Sequence, residues 1–321
     1  LHLQNQIPED KLKIYNNIEK FNAKNPIVSI GIFDGVHIGH KKIIDRLNEL
    51  AIKYKGESVL ITLWPHPREI LKPDNNNSLL LTTREEKECL LEKSGIHNLI
   101  TLPFTKEFSQ ISFRDFVKDY LIDRIKVRHL VIGYNHHFGK DRKGDFKYLK
   151  NISEEYGFSV EQLRPVIFQK SYVSSSLIRR NLEKGKIETA NILLGYNYFI
   201  NGKVIIGDRI GRRLGYPTAN IKLNDSHKLL PKNGVYAVKV RMYQNEYNGM
   251  LYIGTSPTTK GDLYNRTIEV HIIDFKGEIY NKEISINFLG RIRDEKKFRN
   301  EEELINQLNS DKNKILYLLS K

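Results

Sequence analysis

The 321-residue chain has one cysteine, Cys89, so it can form no internal disulfide and suits a reducing compartment. No apolar run approaches the roughly 20 residues a helix needs to cross a bilayer, and the N-terminus lacks a signal-peptide pattern. Although the formal net charge is +14, no run of five or more Lys or Arg occurs, and basic residues interleave with acidic ones. That pattern favours a solvated lysine-rich surface over a nucleic-acid track. The phosphate-binding pattern GxxxxGK[ST] is missing too, which excludes a P-loop kinase. These absences point to a cytoplasmic protein with small-molecule partners and no nucleic-acid or membrane partner. Its oligomeric state is expected to be a monomer or weak homo-oligomer.

What is present describes two globular parts. The length exceeds the usual size of one core, and 40% hydrophobic residues with 17 Tyr and 14 Phe is a folding composition. Residues 27–32, 58–63, 98–102, 129–133 and 158–162 read as strands. Helical patterns near 40–54, 83–94, 112–125 and 145–156 separate them, and another follows at 174–183. Thr83 to Glu86 and Ser112 to Asp115 have capping-box spacing. This alternation predicts an α/β fold with a doubly wound parallel sheet. From about 197, YFINGKVIIG, GVYAVKVRM, YNGMLYIG, TIEVHIIDF and KEISINFLG read as at least five strands of a closed antiparallel β-barrel. A terminal helix is expected from about 300. The expected domains are residues 1–182 and 183–321, with EKGKIETANILLG as the connection.

The stretch GIFDGVHIGHKK, residues 31–42, carries unusual chemistry for a strand-to-helix turn. Gly31, Gly35 and Gly39 permit sharp turns and close backbone approach. Ligands of doubly wound sheets bind beyond the carboxyl ends of the strands, where a helix start near His40 offers amide donors to phosphate. His37 and His40 add imidazole donors able to stabilise charge on a phosphorus under attack. Two competing readings are half a zinc site completed by His136 and His137, and histidines placed by packing alone.

Four motifs in order narrow the choice. GIFDGVHIGHKK, TLWPHPREIL (62–71), VIGYNHHFGK (131–140) and VSSSLIRR (173–180) together resemble the bacterial bifunctional enzymes that join riboflavin kinase to FMN adenylyltransferase. The resemblance covers nearly the whole chain. It implies that Gly31, Phe33, Asp34, Gly35, Gly39, Ser174, Ser175, Ser176 and Arg179 bind ATP, with His37 and His40 catalytic. Serines at a helix start can bind phosphate oxygens, and Arg179 can bring a guanidinium fork to pyrophosphate. Trp64, Pro65, His66, Pro67 and Asn135 are implied as flavin contacts. His136 replaces an aromatic residue expected in the fourth-strand motif, and Ser176 stands where threonine is common.

In the second part, GDRIGRRLGYPTAN (207–220) combines a Gly/Arg loop with the PTAN signature of riboflavin kinases. Such a loop can cover ATP phosphates, implicating Gly207, Gly211 and Arg212. Thr218 and Asn220, two residues apart in an extended segment, offer hard oxygens to Mg²⁺. In TIEVHIIDF, Glu269, His271 and Ile273 share one strand face, and resemblance makes Glu269 the base for the riboflavin 5′-hydroxyl. Arg293 in IRDEKKF is the expected flavin contact of a closing loop. The implied reactions use ATP twice, converting riboflavin to FMN and FMN to FAD. The alternative is a nucleotidyltransferase for another phosphorylated acceptor, with the barrel as a substrate domain.

Overall fold

The structure, a computed structural model, describes residues 11–71, 79–134, 146–207, 210–255 and 266–320. Its chain forms two compact units, residues 1–174 and 175–321. Helix 175–183, assigned from sequence to the first part, falls in the second.

The first unit is built on a parallel sheet of β1 (Lys13–Tyr15), β2 (Ile27–Ile30), β3 (Ser58–Trp64), β4 (Asn98–Pro103), β5 (His129–Gly133) and β6 (Ser159–Leu163), in the order β1-β4-β3-β2-β5-β6. All four residues of β2 are buried, as a strand covered on both faces requires. One face carries Val28, Val59, Ile61 and Leu130 against Phe113, Val117, Leu121 and Leu149. The other carries Ile27, Leu60, Leu99 and Val131 against Ile44, Leu47 and Leu91. These layers contain helices α1 (Ile38–Lys53), α3 (Arg84–Glu92), α4 (Phe113–Asp115) and α5 (Phe146–Tyr156), while the short α2 (Pro67–Leu71), which follows β3, buries no residue. Beyond α4 the chain continues as π-helical turns over Phe116–Arg124. The Thr83–Glu86 capping box forms as expected. Successive strands step from β2 through β3 to β4, then return to β5 on the other side of β2. The β2/β5 fork is therefore the switch point of the sheet. A hairpin of β7 (Ile167–Phe168) and β8 (Ser171–Tyr172) ends the unit.

The second unit opens with α6 (Ser175–Glu183) and α7 (Ile187–Leu194), which pack together. Its closed barrel contains β9 (Phe199–Ile205), β10 (Ala219–Leu223), β11 (Gly234–Met242), β12 (Asn245–Thr255), β13 (Arg266–Ile272) and β14 (Glu283–Arg293), in the order β10-β13-β12-β11-β14-β9. Antiparallel pairing of β9 with β10 closes it. Sequence periodicity accounts for five of these strands. β10 differs because it begins inside the PTAN motif and has only five residues. A short helix, α8 (Ile210–Arg213), precedes it. Val235, Ala237 and Met250 lie on the outer barrel face against Ile315 of α9 (Glu301–Leu319). Tyr236 and Phe288, with ring centroids 5.3 Å apart, fill the opposite, interior face.

Candidate active sites

The loop after β2 brings the N-terminal candidates together at the switch point. His37 is the N-cap of α1, and its Nδ1 accepts the His40 backbone amide at 3.3 Å. One of the amides expected to be open to phosphate is thus satisfied within the motif. As acceptor, Nδ1 of His37 carries no proton, so a neutral ring bears its proton on Nε2. The His37 and His40 rings stack with centroids 3.6 Å apart. Gly39 packs closely beneath them, since a Cβ there would come within 3.1 Å of the His37 imidazole. Burial, then the charges of His37 and Lys87, hold His40 well below the ordinary imidazole range. Its Nδ1 is buried with no hydrogen-bond partner.

The other loop candidates have identifiable structural work. Phe33 has a φ of 51° and packs its buried ring edge-on against His40, 5.1 Å between centroids. Asp34 is buried and accepts the amides of Leu81 and Thr82, each with an oxygen at 3.0 Å. The Gly35 amide donates to Thr82 Oγ1 at 3.1 Å. Asp34 therefore clamps the loop to a segment 47 residues away. Gly31 continues the sheet by donating to the Ile61 carbonyl.

Trp64, Pro65, His66 and Pro67 form a half-buried wall running from β3 into α2. The Trp64–Pro65 peptide is cis, and His66 Nδ1 accepts the Arg68 amide at 3.1 Å. Lys87 Nζ on α3 lies 5.6 Å from the Trp64 ring centroid. Sequence reasoning missed Lys87. Its signal was helical spacing, because Thr83, Lys87 and the fully buried Leu91 recur every four residues. Asn135, His136 and His137 lie outside the described residues. Ser174 ends the first unit, while Ser175, Ser176 and the buried Arg179 lie on α6 of the second.

The second unit joins candidates that are far apart in sequence. The Thr218 hydroxyl donates to Glu269 Oε2 at 3.1 Å, and Asn220 is the cross-strand partner of Glu269 in the β10–β13 ladder. Gly207 makes room for this cluster, since a Cβ there would overlap the Asn220 amide. Gly211 approaches the Tyr216 carbonyl and the Thr218 hydroxyl, with Arg212 beside it on α8. Glu269 faces outward while Ile268 and Val270 fill the barrel, as the strand alternation requires.

Neighbouring groups hold this arrangement. His271, on the same face as Glu269, donates from Nδ1 to the Pro217 carbonyl at 2.9 Å and so anchors PTAN. Burial lowers its pKa, while that hydrogen bond acts in the opposite direction. Tyr252 pairs with Glu269 across β12–β13 and donates to Glu295 at 2.7 Å. Burial, then Glu295, raises the Tyr252 phenol well above its usual range. Arg293 donates from Nε to Asp311 at 2.7 Å, tying β14 to α9 through a carboxylate that is 0% exposed. The roles of His271, Tyr252 and Asp311 depend on partners too distant in sequence for spacing to reveal.

Comparisons with known proteins match the two parts of the chain in turn. The FAD synthetase family model matches residues 19–177, and the riboflavin kinase model matches 194–319. A Bacillus subtilis protein named bifunctional riboflavin kinase/FMN adenylyltransferase is 37% identical over 94% of this chain and 95% of its own. A protein of that name from Buchnera aphidicola (from Acyrthosiphon pisum) is 36% identical over 92% and 94%. A crystal structure described as a macrolide-efflux protein from Streptococcus pneumoniae superposes with a TM-score of 0.86 at 30% identity, covering 95% and 98%. No described helix here is long and apolar enough to cross a membrane. With two family models in this order and relatives matched over nearly their full lengths, the chain belongs to the bifunctional riboflavin kinase/FMN adenylyltransferase family.

Proposed function

We propose that the chain makes FMN from riboflavin and FAD from FMN, using one ATP for each step at separate sites. The observation that carries this reading is the Thr218–Glu269 contact at 3.1 Å, which joins the PTAN motif to the proposed base. Glu269 takes the proton from the riboflavin 5′-hydroxyl as that oxygen attacks the γ-phosphate of ATP; FMN and ADP result. Thr218, Asn220 and Glu269 present only hard oxygens to a cation, a donor set that fits Mg²⁺. Thr218 and Asn220 would hold the ion, with the Gly207 cradle leaving room at Asn220. Bound there, Mg²⁺ would offset charge on the ATP phosphates. Gly211 and Arg212 belong to the covering loop, and Arg293 contributes to the flavin site from its Asp311-anchored position.

In the first unit an FMN phosphate oxygen attacks the α-phosphate of a second ATP, forming FAD and releasing pyrophosphate. His37 and His40 donate ring N–H groups to the phosphoryl oxygens where charge develops. Phe33, Asp34 and the loop glycines hold those rings in place. Ser174 serves the ATP phosphates, while Trp64, Pro65, His66, Pro67 and Asn135 serve the flavin. Another phosphorylated acceptor would leave the Thr218–Glu269 arrangement without a use. The interleaved charge and unpaired Cys89 support a cytoplasmic monomer or weak homo-oligomer acting on small molecules, not on nucleic acid.

The direct test supplies riboflavin, ATP and Mg²⁺ to the purified chain and separates the flavins over time. FMN should appear before FAD, with one pyrophosphate released per FAD. Accumulation of neither flavin product would overturn the proposal.

A further inference from the structure

Lys87 is only 4% exposed, yet among the described residues it makes no ion pair. Its Nζ donates to the Ile32 carbonyl at 3.3 Å and to Thr62 Oγ1 at 3.2 Å. Thr62 Oγ1 itself donates to Ile32 O at 3.1 Å. The ammonium therefore joins α3 to the ends of β2 and β3, immediately before Phe33. A buried charge without an ionic partner is unfavourable, and an apolar residue would fill the same volume at lower cost. Packing alone does not explain a lysine here.

We propose that Lys87 is a positioning residue for adenylyl transfer: its buried ammonium ties the glycine-rich loop to β3 and keeps a positive charge beside the histidine pair, where the ATP polyphosphate binds. This rests on the adenylyl-transfer reading of the first unit, which wild-type FAD formation from supplied FMN tests by itself. The surrounding charges fit such a role. Asp34, on the loop, is occupied by the amides of Leu81 and Thr82. On α3, Glu88 pairs with Arg84 at 2.8 Å. Both carboxylates act on Lys87 only at longer range. Burial pulls its pKa down to about 8, opposed by Asp34 and Glu88 and reinforced by Arg84. His37 and Lys87 both disfavour protonation of His40 on α1. An arriving polyphosphate supplies the missing negative charge in a low-dielectric setting, where its effect is large.

The test measures FMN adenylylation across pH for wild type and Lys87→Met, with hydrogen exchange in β2, β3 and α3 of the whole chain as the folding control. At pH 7 the variant should lose about 10–100-fold in kcat/KM, mainly through a higher KM for ATP, the scale of a charge-assisted interaction. Wild-type kcat/KM should fall as pH rises through about 8, as Lys87 loses its proton. Lys87→Met should lack that alkaline limb. Its acid limb should move to higher pH, because His40 no longer faces the lysine charge. Lys87→Arg should recover part of the ATP affinity. A folded Lys87→Met enzyme with wild-type KM and an unshifted pH profile would overturn the proposal. Binding of inorganic pyrophosphate to wild type supplies a readout independent of the variants. It should weaken through the same pH range although the ligand itself only gains charge; constant or tighter binding would overturn the proposal.

Discussion

Across the start of the β10–β13 pair, the Thr218 hydroxyl donates to Glu269 Oε2 at 3.1 Å. Glutamine at 269 preserves an oxygen acceptor for that bond but cannot take a proton. Glu269→Gln should therefore lower riboflavin phosphorylation by about 10²-fold or more, the usual scale of a positioned general base. Riboflavin affinity and FAD formation from supplied FMN should stay near wild type. Steady-state assays of both reactions on one preparation check this. Kinase turnover near wild type would remove Glu269 as base.

His37 has two jobs that substitution can separate. Asparagine is among the best N-cap residues, whereas alanine is a poor one. His37→Asn should keep the stability of α1 and His37→Ala should cost about 1 kcal/mol. Both should abolish FAD formation and leave riboflavin phosphorylation intact. Thermal unfolding combined with the two assays reads both effects. Retained adenylylation in His37→Asn would reduce the histidine to a cap.

The second unit should fold and phosphorylate riboflavin as a fragment of residues 175–321. A fragment of 183–321 should be less stable. It lacks Ile178 and Leu182, each 0% exposed, and the Leu182 carbonyl that accepts the Lys232 amide at 2.9 Å. Hydrogen exchange and kinase assays on both fragments measure the difference. Equal protection would show that α6 contributes nothing to the unit.

Asp311 accepts from Arg293 and also, at 2.9 Å, from Gln307. Asp311→Ala leaves the Arg293 guanidinium without its carboxylate and should destabilise the unit by about 3 kcal/mol. Hydrogen exchange in β14 and α9 of the whole chain should show the loss. Adding Arg293→Met should recover part of it, because both members of the pair are then absent. Full additivity would show that the two residues are not coupled.

The parts legible in the sequence are those with short-range causes. Alternation in TIEVHIIDF correctly separates Glu269 and His271 from the interior residues Val270 and Ile272. Thr83 and Glu86 announce α3 because the cap is completed within one turn. The three-residue β1 is too short to show a period. The clamp of Asp34 on residues 81–82 spans 47 positions, and the anchor of His271 on Pro217 spans 54. Neither leaves a local pattern. Lys87 lies in the charged run REEKE, where its burial is visible only after the helix face is known.

The Asp34 clamp also bears on how the nucleotide site reaches its working shape. Its carboxylate is occupied by backbone donors, so ligand is not needed to order the loop around residues 33–35. The conformational entropy of that ordering is lost during folding, at roughly 1–2 kcal/mol per residue, and not again on each binding event. This is preorganisation: more of the attraction between site and nucleotide remains to oppose dissociation.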